Sequence, residues 1–344
     1  MMNRIEFIKK AFVDLRTEEG DSGQRVRRRI DNSAPVSIHA ACSFPHRKAI
    51  IEIGPVRTNW LPLDFKKPDL KGITFSLISN HQRAGEDLTL IMELQKYDYI
   101  TIFATFAARI CIELDQLTEP DKAIRAVLHI INKWKSFFSG NVDWLSENQQ
   151  TGLYGELHWL ELLFEKDFPI DTIVSAWTGS SRTSQDYEFD KIAIEIKSTT
   201  AIDTSIVKIS NIRQLDDSAL DVLFLVRTSF DVRRGNENTL PELITKIRTK
   251  IHDSAPTVSI QFEEKLINAG YYENHSDHYA QRCYFKRTTD SYRITNGFPR
   301  LLESKIPNGI TKVSFELSLD YCKEFLVAEE VVLNAIRNCC DRKS

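Results

Sequence analysis

Two carboxylates and an ammonium fall close together in Gln185-Asp186-Tyr187-Glu188-Phe189-Asp190-Lys191-Ile192-Ala193-Ile194-Glu195-Ile196-Lys197-Ser198. The segment reads as a β-hairpin turning near Asp190-Lys191. Side chains of a strand alternate between its two faces, so Ala193, Glu195 and Lys197 share one face while Ile192, Ile194 and Ile196 take the other. On the adjacent antiparallel strand, Asp186 comes beside Glu195. Such a group suits metal-assisted phosphodiester hydrolysis. Two acids offer hard oxygen ligands to Mg²⁺, which keeps part of its water shell, and a nearby lysine orients a water or stabilises the anionic transition state. Taken alone, Glu-x-Lys on a strand is more often a solvated edge face.

Two further residues add to this group. In Gly152-Leu153-Tyr154-Gly155-Glu156-Leu157-His158-Trp159-Leu160, a helix of about 3.6 residues per turn puts Leu153, Leu157, Leu160 and Phe164 in one stripe. Glu156 falls inside the apolar edge of that stripe, whereas Glu161 and Glu165 lie on the solvent flank. A bare carboxylate is costly there unless a cation or hydrogen bonds receive it. Gln214 follows the short strand Ile206 to Ser210 and can reach the same pocket, although a single glutamine there is more often a surface residue.

Gly-Leu-Tyr-Gly-Glu-Leu at 152 to 157, Trp177 with Gly179, Asp186-Tyr187, Glu195-Ile196-Lys197-Ser198 and Gln214-Leu215 together resemble the PD-(D/E)xK nuclease superfamily. More narrowly, they resemble the bacterial PD-(D/E)xK motif proteins found among restriction and phage-defence genes. The resemblance covers most of the chain and weakens after about residue 300. It implies a restriction-endonuclease-like α/β (α+β) core in which Asp186, Glu195 and the Ile196 carbonyl hold the metal. Lys197 would be the catalytic lysine, Glu156 a helix-borne acid at the metal and Gln214 an accessory residue. The implied activity is Mg²⁺-dependent endonucleolytic cleavage of double-stranded DNA, with Mn²⁺ able to substitute, leaving 5′-phosphate and 3′-hydroxyl ends. The implied setting is a bacterial restriction or anti-phage system with a homodimer or a separate ATPase or methyltransferase subunit. Gln185 stands where the motif has Pro, a position that varies in the superfamily. The alternative, from another functional class, is a non-catalytic DNA-binding or scaffold subunit that keeps the fold; a nuclease acting on RNA or single strands is a third reading.

The elements that must position these residues divide the chain in two, with a boundary expected at Ser139-Gly140-Asn141. Residues 1–145 are expected to form a sheet-containing N-terminal domain. It would open with a helix over 3–16 (Ile5, Ile8, Phe12 and Leu15 on one face) and close with one over 123–138, around β-type runs at 49–53, 73–77 and 89–92. Residues 146–344 are expected to form the α/β core and C-terminal additions. Its helices are expected over 152–166, 240–251 and 259–269, with strands near 171–177, 186–189, 192–198, 220–228, 283–294 and 312–319. A last helix would carry Phe325, Val331, Val332, Leu333 and Ile336.

With 45 Lys+Arg against 48 Asp+Glu the net charge is -3, so indiscriminate polyanion binding has no concentrated basic surface to rest on. Arg25, Arg27, Arg28 and Arg29 form a local cluster, read first as a solvated loop and second as a phosphate-contacting patch. Asp231-Val232-Arg233-Arg234-Gly235-Asn236 is read the same way, with the solvated turn preferred. Six cysteines without a C-x-x-C pair, no secretory signal and no long apolar run point to reduced thiols in a cytoplasmic, non-membrane protein. His275-x-x-His278 with Cys283 lacks a fourth zinc ligand, Cys339-Cys340 reads as a frayed helix end, and no phosphate-binding G-x-x-x-x-G-K-[ST] loop exists.

Overall fold

The computed structural model describes residues 4–62, 65–68, 70, 72–79, 87–134, 144–179, 184–203, 205–310 and 312–341. The chain forms two compact units, Met1–Asp143 and Trp144–Ser344. The expected boundary at Ser139-Gly140-Asn141 and the end of the 123–138 helix lie outside the described residues.

In the first unit, α1 (Arg4–Thr17) precedes an antiparallel sheet of β1 (Arg25–Arg29), β2 (Ser37–Ser43), β3 (Lys48–Arg57), β4 (Ile73–Ser79) and β5 (Asp87–Leu94). The strands lie in the order β1-β2-β3-β5-β4. Helices α2 (Ile100–Asp115) and α3 (Pro120–Trp134) follow. α2 is apolar nearly all round and is buried along most of its length, as such a helix must be. Aromatic contacts, Phe12 to Phe103 and Phe106 to Trp134, join it to α1 and α3.

The arginine cluster is not a loop. It is the edge strand β1, and each guanidinium there has an acid: Arg25 and Arg27 share Glu52, Arg28 meets Asp14, and Arg29 meets Asp31 at 2.6 Å. These pairs cover a sheet edge with charge and compete with any phosphate for the arginines.

The second unit opens with α4 (Glu147–Glu165), whose first turn is closed by a capping box between Ser146 and Gln149. α5 (Ile170–Ala176), β6 (Tyr187–Phe189), β7 (Ile192–Thr199), β8 (Ile206–Ile209) and β9 (Val222–Arg233) follow. After them come α6 (Leu240–Ser254), α7 (Ser259–Asn268), α8 (Ser276–Tyr279), β10 (Cys283–Ile294), β11 (Phe315–Ser318), β12 (Leu326–Val327) and α9 (Glu329–Asp341). The main sheet has the order β12-β10-β9-β7-β6, parallel only between β7 and β9. Even-numbered residues of β7 and β9 (Ile194, Ile196, Phe224, Val226) face a core shared with α4, α6 and α9. Odd-numbered ones (Ala193, Leu223, Leu225) face a second core under the β8-β11 ribbon. The sheet is thus apolar on both faces, which is why β9 opens on a continuous hydrophobic run, Val222 to Val226.

Three sequence readings change here. Residues 171–177 are mostly helical, because a short Ile-Val run has no periodicity to separate strand from helix, and Lys265 caps the last carbonyls of α5. Phe325 belongs to a 3₁₀ turn, Leu319–Phe325, where it packs edge-on against Phe298 instead of extending the last helix. Cys339 lies within α9 and donates to the Phe189 carbonyl at 3.2 Å, so that helix end is packed and not frayed.

Candidate active site

The hairpin closes at Asp190-Lys191, with Asp190 in the left-handed region (φ 56°) that aspartate tolerates in tight turns. Tyr187 pairs with Ile194, so the next step back along β6 brings Asp186 opposite Glu195. β6 stops there while β7 runs on for five more residues, to Thr199. The Asp186 side chain takes over the missing strand's part: its Oδ2 accepts the Ile196 N–H at 2.7 Å. Because the N–H and C=O of one strand residue point to the same edge, the Ile196 carbonyl is turned toward this end of the hairpin too.

On the neighbouring face, Lys197 Nζ lies 2.7 Å from Glu195 Oε1 and donates to Gln214 Oε1 at 3.2 Å. Gln214 sits in a 3₁₀ turn, Ile212–Leu215, and its Oε1 also accepts from the backbone N–H of Ser210 at 3.0 Å. The same turn is tied to the hairpin from below, where Gln185 Nε2 donates to the Arg213 carbonyl at 2.7 Å. Glu195 is 1% exposed and its Oε2 has no hydrogen-bond partner. An unpartnered buried carboxylate oxygen is expensive, and it is the kind of atom a cation would satisfy.

Glu156 arrives from the other side of the sheet, on α4. Trp177 Nε1 donates to its Oε2 at 2.9 Å, and the Tyr187 hydroxyl donates to its backbone carbonyl at 2.7 Å. Trp177 is fully buried, and its own backbone is held by Lys265 Nζ, which donates to the carbonyls of Val174, Ser175 and Trp177. Trp177 and Tyr187 entered the sequence reading only as parts of the resemblance, and Lys265 not at all, since none of these contacts is local in the chain. Gly155 belongs to the same motif and carries a steric signal. A Cβ there would come 1.6 Å from Ser198 Oγ, so only glycine lets α4 approach β7 closely enough to bring Glu156 forward. Gly155→Ala is expected to lower stability by about 1–3 kcal/mol, although alanine is the better helix former. Adding Ser198→Gly should recover most of that loss; a Gly155→Ala protein with unchanged urea midpoint would show that the contact is slack.

One buried carboxyl, Glu195, and two half-buried ones, Glu156 and Asp186, within one neighbourhood cannot all ionise at their ordinary values. Burial, reinforced by the Asp186 charge, pushes Glu156 up to about 8, opposed by Trp177 and Lys197. Burial raises Asp186 to about 6 against the pull of the Ile196 N–H and of Lys197. Glu195 is raised well above the carboxylate range by burial and by Asp186, with Lys197 acting the other way.

Among the described residues no three His, Cys, Asp or Glu side chains gather into a ready metal cage, His275, His278 and Cys283 included. The topology gives the reason for the acids, since Glu156 comes from the helix-covered face and Glu195 from the opposite one, with Asp186 at the strand edge between them. The set nevertheless fits a hard cation that keeps several waters. Asp186, the free oxygen of Glu195 and the Ile196 carbonyl are oxygen donors, and a cation beside the two carboxyls would offset the cost that burial puts on their charged forms. The turn reading of residues 231–236 holds for 234–236 and is revised for the rest: β9 continues to Arg233, which pairs with Asp231 at 2.9 Å and lies over the Phe285 ring.

No helix among the described residues is long and apolar enough to cross a membrane. The model of a family described as "Putative PD-(D/E)XK family member" (DUF4420) matches residues 8–320 and so spans parts of both units. No curated protein and no solved structure matches the chain.

Proposed function

Because the chain belongs to this PD-(D/E)XK family, we propose that it is a Mg²⁺-dependent endonuclease that hydrolyses DNA phosphodiester bonds. The observation that carries the proposal is the buried Glu195 oxygen without a partner, set beside Asp186 and Lys197 where β6 stops short. A scaffold protein would gain nothing from keeping three acids in a place that costs folding free energy. The order α4, β6-β7 hairpin, then β9 parallel to β7, supports a restriction-endonuclease-like core.

In this reading Asp186, Glu195 and the Ile196 carbonyl would hold the Mg²⁺, and Glu156 would be the helix-borne acid of the site. When bound, Mg²⁺ lowers the pKa of a coordinated water and offsets negative charge on the phosphate oxygens. Lys197, kept at the site by Glu195 and Gln214, orients the attacking water and meets the charge that grows on the phosphoryl group. Gln214 fixes the lysine: its Oε1 is itself anchored by the Ser210 N–H, so the ammonium has a defined resting position. Products carry 5′-phosphate and 3′-hydroxyl ends. The setting we propose is bacterial restriction or anti-phage defence, with a second copy or a separate ATPase or methyltransferase subunit supplying what one site cannot.

Purified protein should convert supercoiled plasmid to nicked and linear forms with Mg²⁺ or Mn²⁺, and EDTA should stop it. Folded protein that leaves plasmid and phage DNA intact in either metal would favour the non-catalytic reading.

A further inference from the structure

The 3₁₀ turn that carries Gln214 has a second side. While Gln214 points to Lys197, Ser210, Asn211 and Arg213 line a cavity of about 610 Å³ whose other wall is made by Glu303, residues 306–310, Lys312 and Val313. That volume lies in the range of small-molecule sites. Its floor is fixed to the active site twice, by Lys197 on Gln214 and by Gln185 on the Arg213 carbonyl. Half-exposed Ile306 and exposed Pro307 and Ile310 offer apolar surface, while Arg213 and Lys312 outnumber Glu303 in charge. Across the cavity the Arg213 fork is held by Glu303 through two hydrogen bonds, Nε to Oε2 at 3.0 Å and Nη2 to Oε1 at 2.8 Å. Both side chains are more than half exposed, so the pair is weakly held and can exchange.

We propose that this cavity is a subsite for the nucleotide next to the scissile phosphate, and that Arg213 leaves Glu303 to grip that nucleotide's phosphate. The inference rests on the nuclease reading and adds to it a place for the cleaved strand. A guanidinium fork matches a phosphate as well as a carboxylate, so the exchange keeps two charge-assisted hydrogen bonds. The base would lie against Ile306, Pro307 and Ile310. Glu303 then acts as a stand-in for substrate, keeping Arg213 oriented until a strand arrives.

The test is equilibrium binding of a fluorescein-labelled DNA duplex in EDTA across a salt series, with plasmid cleavage in Mg²⁺ run in parallel. Arg213→Ala should bind about tenfold more weakly and flatten the slope of log K against log salt by about 1. Arg213→Lys should fall between, and Glu303→Gln should bind more tightly than the parent, because its arginine is no longer engaged. Unchanged affinity and slope in both Arg213→Ala and Glu303→Gln would overturn the subsite, as would failure of the parent protein to bind the duplex. Binding that depends on Arg213 without any cleavage would uphold the subsite and remove the nuclease reading. Cleavage with Arg213-independent binding would do the reverse.

Discussion

Lys197→Ala is expected to cut the rate of Mg²⁺-dependent DNA cleavage by about 10²–10³-fold or more, with the melting temperature nearly unchanged. The magnitude is that of removing one preorganised donor from a developing oxyanion. Stability is spared because burial and the Asp186 charge already favour the protonated form of Glu195, which needs no cation beside it. The loss should appear in kcat, since the ammonium meets charge that exists only in the transition state. Single-turnover cleavage by parent and variant at saturating enzyme is the measurement. A variant that keeps more than about a third of the parent rate would remove Lys197 from the chemistry.

The second large effect is on stability. An acid whose pKa is higher in the folded chain than in the unfolded one (about 4) holds its proton better when folded. Raising the pH through that interval therefore destabilises the fold. Here the interval runs from about 4 to 6 for Asp186 and to about 8 for Glu156. At about 1.4 kcal/mol per pKa unit the metal-free protein should lose a few kcal/mol between pH 5 and pH 8. The two acids share part of that loss because each feels the other's charge. Saturating Mg²⁺ should restore about 2–3 kcal/mol at pH 8 and much less at pH 5, where protons compete for the same oxygens. Thermal melts at both pH values, in EDTA and in Mg²⁺, read this directly, with expected differences of about 5 °C or more. A melting temperature flat with pH and indifferent to Mg²⁺ would mean that the acids do not form the cluster described. Glu156→Gln should remove the largest share of the pH dependence.

The hairpin and its face assignment were legible because strand alternation is a local rule, and Ile192 to Lys197 obeys it without interruption. Glu156 was legible for a similar reason, as an acid at the wrong angle on an amphipathic helix. What failed were features decided by distant partners. The arginines of β1 look like a free basic cluster until Glu52, Asp14 and Asp31 are folded against them. α5 looks like a strand until Lys265, far along the chain, caps it. Trp177 was noticed as part of a motif, yet its role as the donor that holds Glu156 depends on how α4 lies against α5.

The early stop of β6 has a consequence for how the site is probed. An uncovered strand edge is a template for pairing with another chain, and proteins normally guard such edges. β7 beyond Ile194 is such an edge among the described strands, and Asp186, by accepting the Ile196 N–H, is its guard. One side chain thus serves both as an acid of the site and as protection against self-association. Replacing Asp186 by alanine removes both at once, and lost activity in that variant could reflect clumped protein as easily as lost chemistry. Lys197, whose removal leaves the guard in place, is the residue that separates the two.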